Sequence, residues 1–145
     1  MSTSEPIVIE NFTSVRAAEP VGLFPHAKRV GHLLFCSGIG PRERGTKAIP
    51  GVTFGDDGSV VDHDIEAQTH SVLRNVRYLL EDAGTSFDRI VDVQVFLTSM
   101  KRDFAKFNAI WAEYFPDDPP TRTTVEVTAL PTPIAIELKV IATIG

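Results

Sequence analysis

Two charged residues stand where extended strands ordinarily carry neutral ones. Arg122 opens the run Thr121 to Thr128, and Glu137 sits between Ile136 and Leu138 in the run Ile134 to Ala142. A guanidinium matches a carboxylate through two parallel N–H donors. A carboxylate in a partly dry wall has its pKa raised, which makes it a usable general base near neutral pH. Such a pair could grip a substrate carboxylate and supply a general base beside it. The Pro-containing segment between the runs predicts neighbouring strands, with both charges on one small polar site. Pro119-Pro120 stiffens the approach to Arg122. The bland alternative is two solvated surface charges, with Glu137 paired to Lys139.

Other chemistry-bearing residues are weaker. Ser37, in Cys36-Ser37-Gly38, lacks the GxSxG elbow of a nucleophile and reads as a hydrogen-bond donor at most. Cys36 reads as core. Asn108 interrupts an aromatic helical face, as a site contact or as an exposed polar residue. Gly38-Ile39-Gly40 lacks the third glycine and following helix of a nucleotide loop. His26, His32, His63 and His70 show no HExxH spacing and no cysteine partner, so no metal site is expected. Arg42, Arg44 and Lys47 cluster around one acid, Glu43, which gives +2 locally against a chain total of −5. That cluster is a second cation site or an ordinary charged loop.

The elements that must carry these residues follow from periodicity. Strands are expected at Ile7 to Phe12, 27–30 and 33–38. Gly31-His32 makes a tight type II′ hairpin between the last two. Residues 39–63, with Pro41, Pro50 and five glycines, read as a long irregular loop. Asp64 to Ala83 is an amphipathic helix with acids at its start and Gly84 as its C-terminal cap. Arg89 to Leu97 alternates, with Val91, Val93, Val95 and Leu97 on the buried side. Arg102 to Phe115 is a second helix, stopped by Pro116. Its apolar side carries Phe104, Phe107, Trp111, Tyr114 and Phe115. Two helices on one face of a mixed or antiparallel sheet give an α+β two-layer sandwich. Ile136, Leu138 and Val140 would pack under the helices, turning Glu137 to the other face. That face is mixed rather than polar, which predicts a homo-oligomer with polar sites between chains.

The whole chain sets the bounds. At 145 residues, 43% hydrophobic and 23% charged, residues 1–145 read as one globular domain. The net charge of −5 argues against a nucleic-acid partner. One cysteine excludes an intrachain disulfide and makes a reducing compartment the default. With no leader pattern and no apolar run of membrane-spanning length, the chain reads as soluble and cytoplasmic, without a membrane partner.

At these residues the chain resembles the RidA/YjgF family over nearly its whole length. The resemblance rests on Gly31 to Gly38 (GHLLFCSG), Asp64 to Thr69 (DIEAQT), Val95 to Thr98 (VFLT), Phe104 to Asn108, and Pro120-Thr121-Arg122 with the run to Glu137. It implies a chorismate-mutase-like fold of the bacillus type. It also implies a homotrimer, alone or paired into a hexamer, with active sites in clefts between subunits. Members hydrolyse imines or enamines of 2-amino acids without a cofactor. Carried over, Arg122 would hold the substrate carboxylate, Glu137 would activate water, and Ser37 and Asn108 would line the cleft. Phe24 stands where many members have tyrosine, so a hydroxyl role there is lost. Thr124 stands where cysteine is frequent, so thiol chemistry there is excluded.

Gly40 to Gly45 (GPRERG), Ile49 to Val52 and Leu130 to Glu137 also look like 2-aminomuconate deaminases. That substrate is a dicarboxylate, and its far carboxylate would need Arg42 or Arg44. A generalist 2-iminoacid deaminase needs no such cation. A carboxylate-binding protein without turnover needs neither base nor water.

Overall fold

The computed structural model describes residues 5–46 and 48–145; Lys47 of the basic loop and part of the expected loose N-terminus lie outside them. The strands are β1 (Ile9–Phe12), β2 (Ala27–Val30), β3 (Leu33–Cys36), β4 (Val52–Phe54), β5 (Val60–His63), β6 (Ile90–Leu97), β7 (Thr121–Glu126) and β8 (Ile136–Thr143). The helices are α1 (Ile65–Ala83) and α2 (Met100–Tyr114). A six-stranded mixed sheet runs β1-β2-β3-β8-β6-β7. α1 packs on α2 and on β8, giving the two-layer α+β arrangement.

The local signals act as their chemistry dictates. Gly31 has φ +63° and no other described non-glycine residue is left-handed, so the β2–β3 turn has a single positive φ at its glycine. The Asp64 side chain accepts from the amides of Glu66 and Ala67 and caps α1. At the other end Gly84 takes φ +93°, and the amides of Gly84 and Thr85 close on the carbonyls of Glu81 and Leu80. In β8, residues alternate strictly between buried and half-buried, so Ile136, Leu138 and Val140 lie under the helices and Glu137 faces away. The core joins these to Leu34, Leu73, Leu80, Leu97, Val93, Val95 and Phe107, all at 1% exposure or less.

Three expectations are corrected. β7 and β8 do not pair with each other. β6 lies between them, parallel to β7 and antiparallel to β8. The cause is α2: a parallel partner needs a crossover of about a dozen residues, which this helix supplies between β6 and β7. That path places β7 at the sheet edge. Second, the loop 39–63 contains the hairpin β4–β5. Its base is tied to α2, where His63 Nε2 meets the buried Asp103 carboxylate at 3.0 Å and Arg102 bonds Asp62 and the His63 carbonyl. Third, a bulge between Ile90 and Asp92 shifts the register, so Ile90 is buried and Val91 exposed.

Candidate functional site

The Glu137 side of the sheet forms a hollow. Its carboxylate lies against Gly38, where a Cβ would sit 2.9 Å from Oε2. No other residue type fits there without moving the acid. A cavity of about 50 Å³ opens beside it, lined by Phe24, His26, Ser37, Arg42 and Thr132 among others. That volume takes a few water molecules, not a six-carbon acid. Burial raises the Glu137 pKa, and nothing opposes the shift. The Lys139 pairing is not made, because Lys139 Nζ donates to the Cys36 carbonyl at 2.7 Å. Among the described residues Glu137 has no cationic partner.

The walls of the hollow are fixed by hydrogen bonds. The Ser37 hydroxyl donates to the Pro25 carbonyl at 2.7 Å, and the Ser37 amide to the His26 carbonyl at 2.9 Å. In this rotamer the hydroxyl oxygen has only lone pairs to offer a ligand. His26 bridges two segments: its Nδ1 accepts from the Ser14 amide at 2.8 Å and its Nε2 lies 2.7 Å from the Ala18 carbonyl. Arg42 reaches the carbonyls of Glu19 and Thr46 from the rim, which leaves other guanidinium donors available. Arg44 is placed differently. It donates to the carbonyls of Ser14 and Ala17 at 3.0 and 2.9 Å, and it does not line the cavity. Cys36 is buried core, its thiol pushed up to about 12 by burial.

Arg122 lies elsewhere. It pairs in register with Val93, whereas Glu137 pairs with Phe96. Two strand spacings and three residues of rise put their Cα atoms about 14 Å apart, on opposite faces. The Arg122 guanidinium lies over the aromatic faces of α2, 5.0 Å from the Trp111 ring centre, 5.3 Å from Phe107 and 5.9 Å from Phe104. Ring faces stabilise a cation placed this close. Desolvation lowers its pKa, and among the described residues it has no carboxylate partner. Thr124, two residues on, turns the same way; the residue is half-buried, and its hydroxyl oxygen is buried without a hydrogen-bond partner. Asn108 is exposed on α2, one turn from Phe104 and Trp111.

The candidate residues of one chain thus fall in two separate groups: Glu137, Ser37, Phe24 and Arg42 in a hollow, and Arg122, Thr124 and Asn108 on a shelf. The expected single site between neighbouring strands is absent within the chain. His26, Gly38 and Thr132 were not singled out from sequence. Gly38 carried a weak signal, since a glycine beside an extended run can mark a close approach. Among the described residues no group of three or more His, Cys, Asp or Glu side chains is arranged to hold a metal. None of the helices is long and apolar enough to cross a membrane.

Fold and site arrangement together define a class, and comparison with known proteins agrees. Residues 15–144 match the family model described as Endoribonuclease L-PSP. A RutC family protein of Pyrococcus abyssi is 36% identical over 127 residues, covering 88% of this chain and 91% of its own. Reactive Intermediate Deaminase A of Arabidopsis thaliana is 31% identical over 135 residues, covering 93% of this chain and 66% of its own. The crystal structure of E. coli TdcF with bound serine superposes with TM-score 0.80 at 27% identity, covering 94% and 99%. The chain belongs to the RidA/YjgF family, and its α+β fold is the chorismate-mutase-like fold of those structures.

Proposed function

We propose that this protein is a cofactor-independent hydrolytic deaminase of 2-amino acid enamines and imines, with 2-aminomuconate as its substrate. The observation that carries the reading is the mismatch of the two halves. A half-buried carboxylate without a cation faces a hollow, and a guanidinium without an anion faces outward from the opposite side. A closed ring of three chains would bring one chain's shelf to the next chain's hollow. Each site would then be shared by two subunits of a homotrimer. The relatives support the chemistry: one carries a deaminase name, and another binds serine, an amino acid with the same carboxylate beside a nitrogen-bearing carbon.

In the proposed reaction the dienamine takes a proton at C5 and becomes an iminium at C2 conjugated with a C3–C4 double bond, which loses an N–H proton to give the imine. Arg122 pairs the C1 carboxylate and fixes C2 beside the hollow. Glu137 removes a proton from water as its oxygen bonds to C2 and the imine nitrogen gains a proton. The carbinolamine then loses its hydroxyl proton while the C2–N bond breaks, and Glu137 returns its proton to the departing nitrogen. The products are ammonia and 2-oxohex-3-enedioate. Arg42, on the rim of the same cavity, is the cation for the far carboxylate.

The test is ammonia release from freshly generated 2-aminomuconate and from 2-iminopropionate, with Arg122→Ala as control. Faster release from the dicarboxylate is expected. Preference for the short imine would make this a generalist iminoacid deaminase. Release from neither would leave a carboxylate-binding protein. Light scattering giving a monomer would overturn the shared site.

A further inference from the structure

Three consecutive carbonyls of the segment that carries Arg42 are held by buried side chains of α1. Asn75 Nδ2 donates to the carbonyls of Gly40 and Arg42, both at 2.9 Å. Ser71 Oγ donates to the Pro41 carbonyl between them at 2.7 Å. Asn75 is 5% exposed and Ser71 4%. The two lie one helical turn apart and face the same segment. Gly40 completes the contact from the far side, since a Cβ there would meet Ile134 Cδ1 at 2.7 Å.

An irregular loop rarely has every carbonyl of a tripeptide occupied by side chains, because backbone partners or water usually serve. Both Asn75 amide hydrogens are used, so the side chain fixes the segment on each side of Pro41. The backbone of Arg42, a residue that lines the Glu137 hollow, is thereby fixed.

We propose that Asn75 and Ser71 are positioning residues that set the preference for a dicarboxylate by holding Arg42 at the rim. This rests on the reading of Arg42 given above. Loss of the tie lets the guanidinium drift from the far carboxylate without touching Glu137 or Arg122.

The test compares Asn75→Ala, Ser71→Ala and the hydroxyl-retaining Ser71→Thr with wild type on 2-aminomuconate and 2-iminopropionate. Asn75→Ala is expected to raise KM for the dicarboxylate about tenfold more than for the short imine, with kcat nearly held. Ser71→Ala should show the same pattern more weakly, and Ser71→Thr should restore it. In an Arg42→Ala background, Asn75→Ala should add nothing. Equal losses on both substrates, or additive losses in the double variant, overturn the proposal. If wild type leaves 2-aminomuconate untouched, the function reading falls, and hydrogen exchange decides the positioning claim separately. The reporter is the Glu43 amide, bonded to the Ala48 carbonyl at 3.0 Å. Faster exchange in Asn75→Ala supports the tie; unchanged exchange overturns it.

Discussion

The Glu137 hollow and the Arg122 shelf are opposite solutions to holding a lone charge. The hollow keeps its carboxylate half-buried, without a cation, and burial raises its pKa. The shelf keeps its half-buried guanidinium within 5.9 Å of three aromatic ring centres. A carboxylate in such a place is poised to take a proton. A guanidinium in such a place is poised to take an anion, since rings hold it without consuming its N–H donors. On the proposed reading the difference separates the two duties of the site: one chain would contribute the base, and its neighbour would grip the substrate.

The largest expected effect separates those duties directly. Glu137→Gln keeps the shape and removes the base, so kcat should fall about a thousandfold while binding persists. Arg122→Ala should lower kcat/KM about a hundredfold, chiefly through KM, as a charged hydrogen-bonded contact is lost. Steady-state kinetics on one substrate check both. If the two variants gave the same kcat and KM pattern, hollow and shelf would not have separate duties.

The next experiment asks whether the halves meet between chains. The two inactive variants are co-expressed with different tags and purified through both. In a cyclic trimer containing both, one of the three junctions joins an intact Glu137 to an intact Arg122, so about one third of the wild-type activity per trimer should return. If base and grip belonged to one chain, none would return.

A smaller effect lies in the pH dependence. Because burial raises the Glu137 carboxyl, the native state keeps its proton to higher pH than the unfolded chain does. The stability from that proton is full below the ordinary carboxylate pKa and is lost as pH rises through the raised one. Activity runs in the opposite sense, since the base must be ionised, and kcat/KM should climb across the same raised value. Denaturation midpoints and kinetics from about pH 4 to 7 check both signs. Glu137→Gln should remove this stability slope. An acid limb at the ordinary carboxylate value would show that the hollow is wet.

Much of this comparison was legible before any coordinates. The parity of β8 placed Glu137 away from the helices because a period of two admits only two faces. Asp64 and Gly84 marked the ends of α1 because caps are local chemistry. Strand order was not legible. Sequence-adjacent strands usually neighbour each other, and nothing in 119–142 signals that β6 intervenes. The bulge at Val91 was hidden for a related reason: alternation continues on paper while the register shifts against β8. Ser71 and Asn75 are polar residues of α1, yet both are buried against loop carbonyls. A helical pattern shows which side chains are polar, not which backbone carbonyls await them.

The smallest effect sits on the shelf, at Thr124. Its buried hydroxyl oxygen has no hydrogen-bond partner. A buried polar group without a partner costs free energy that an isosteric apolar group does not. If the shelf is complete within one chain, Thr124→Val should stabilise the protein by about 1 kcal/mol and leave turnover unchanged. If the hydroxyl meets the neighbouring chain or the substrate, its partner arrives only on assembly or binding. The same substitution should then weaken assembly or raise KM, and the gain should appear only in the dissociated chain. Thermal denaturation at two protein concentrations, with kinetics on the same samples, separates the cases. A concentration-independent gain with unchanged KM would take Thr124 out of the site and leave the shelf to Arg122 and Asn108.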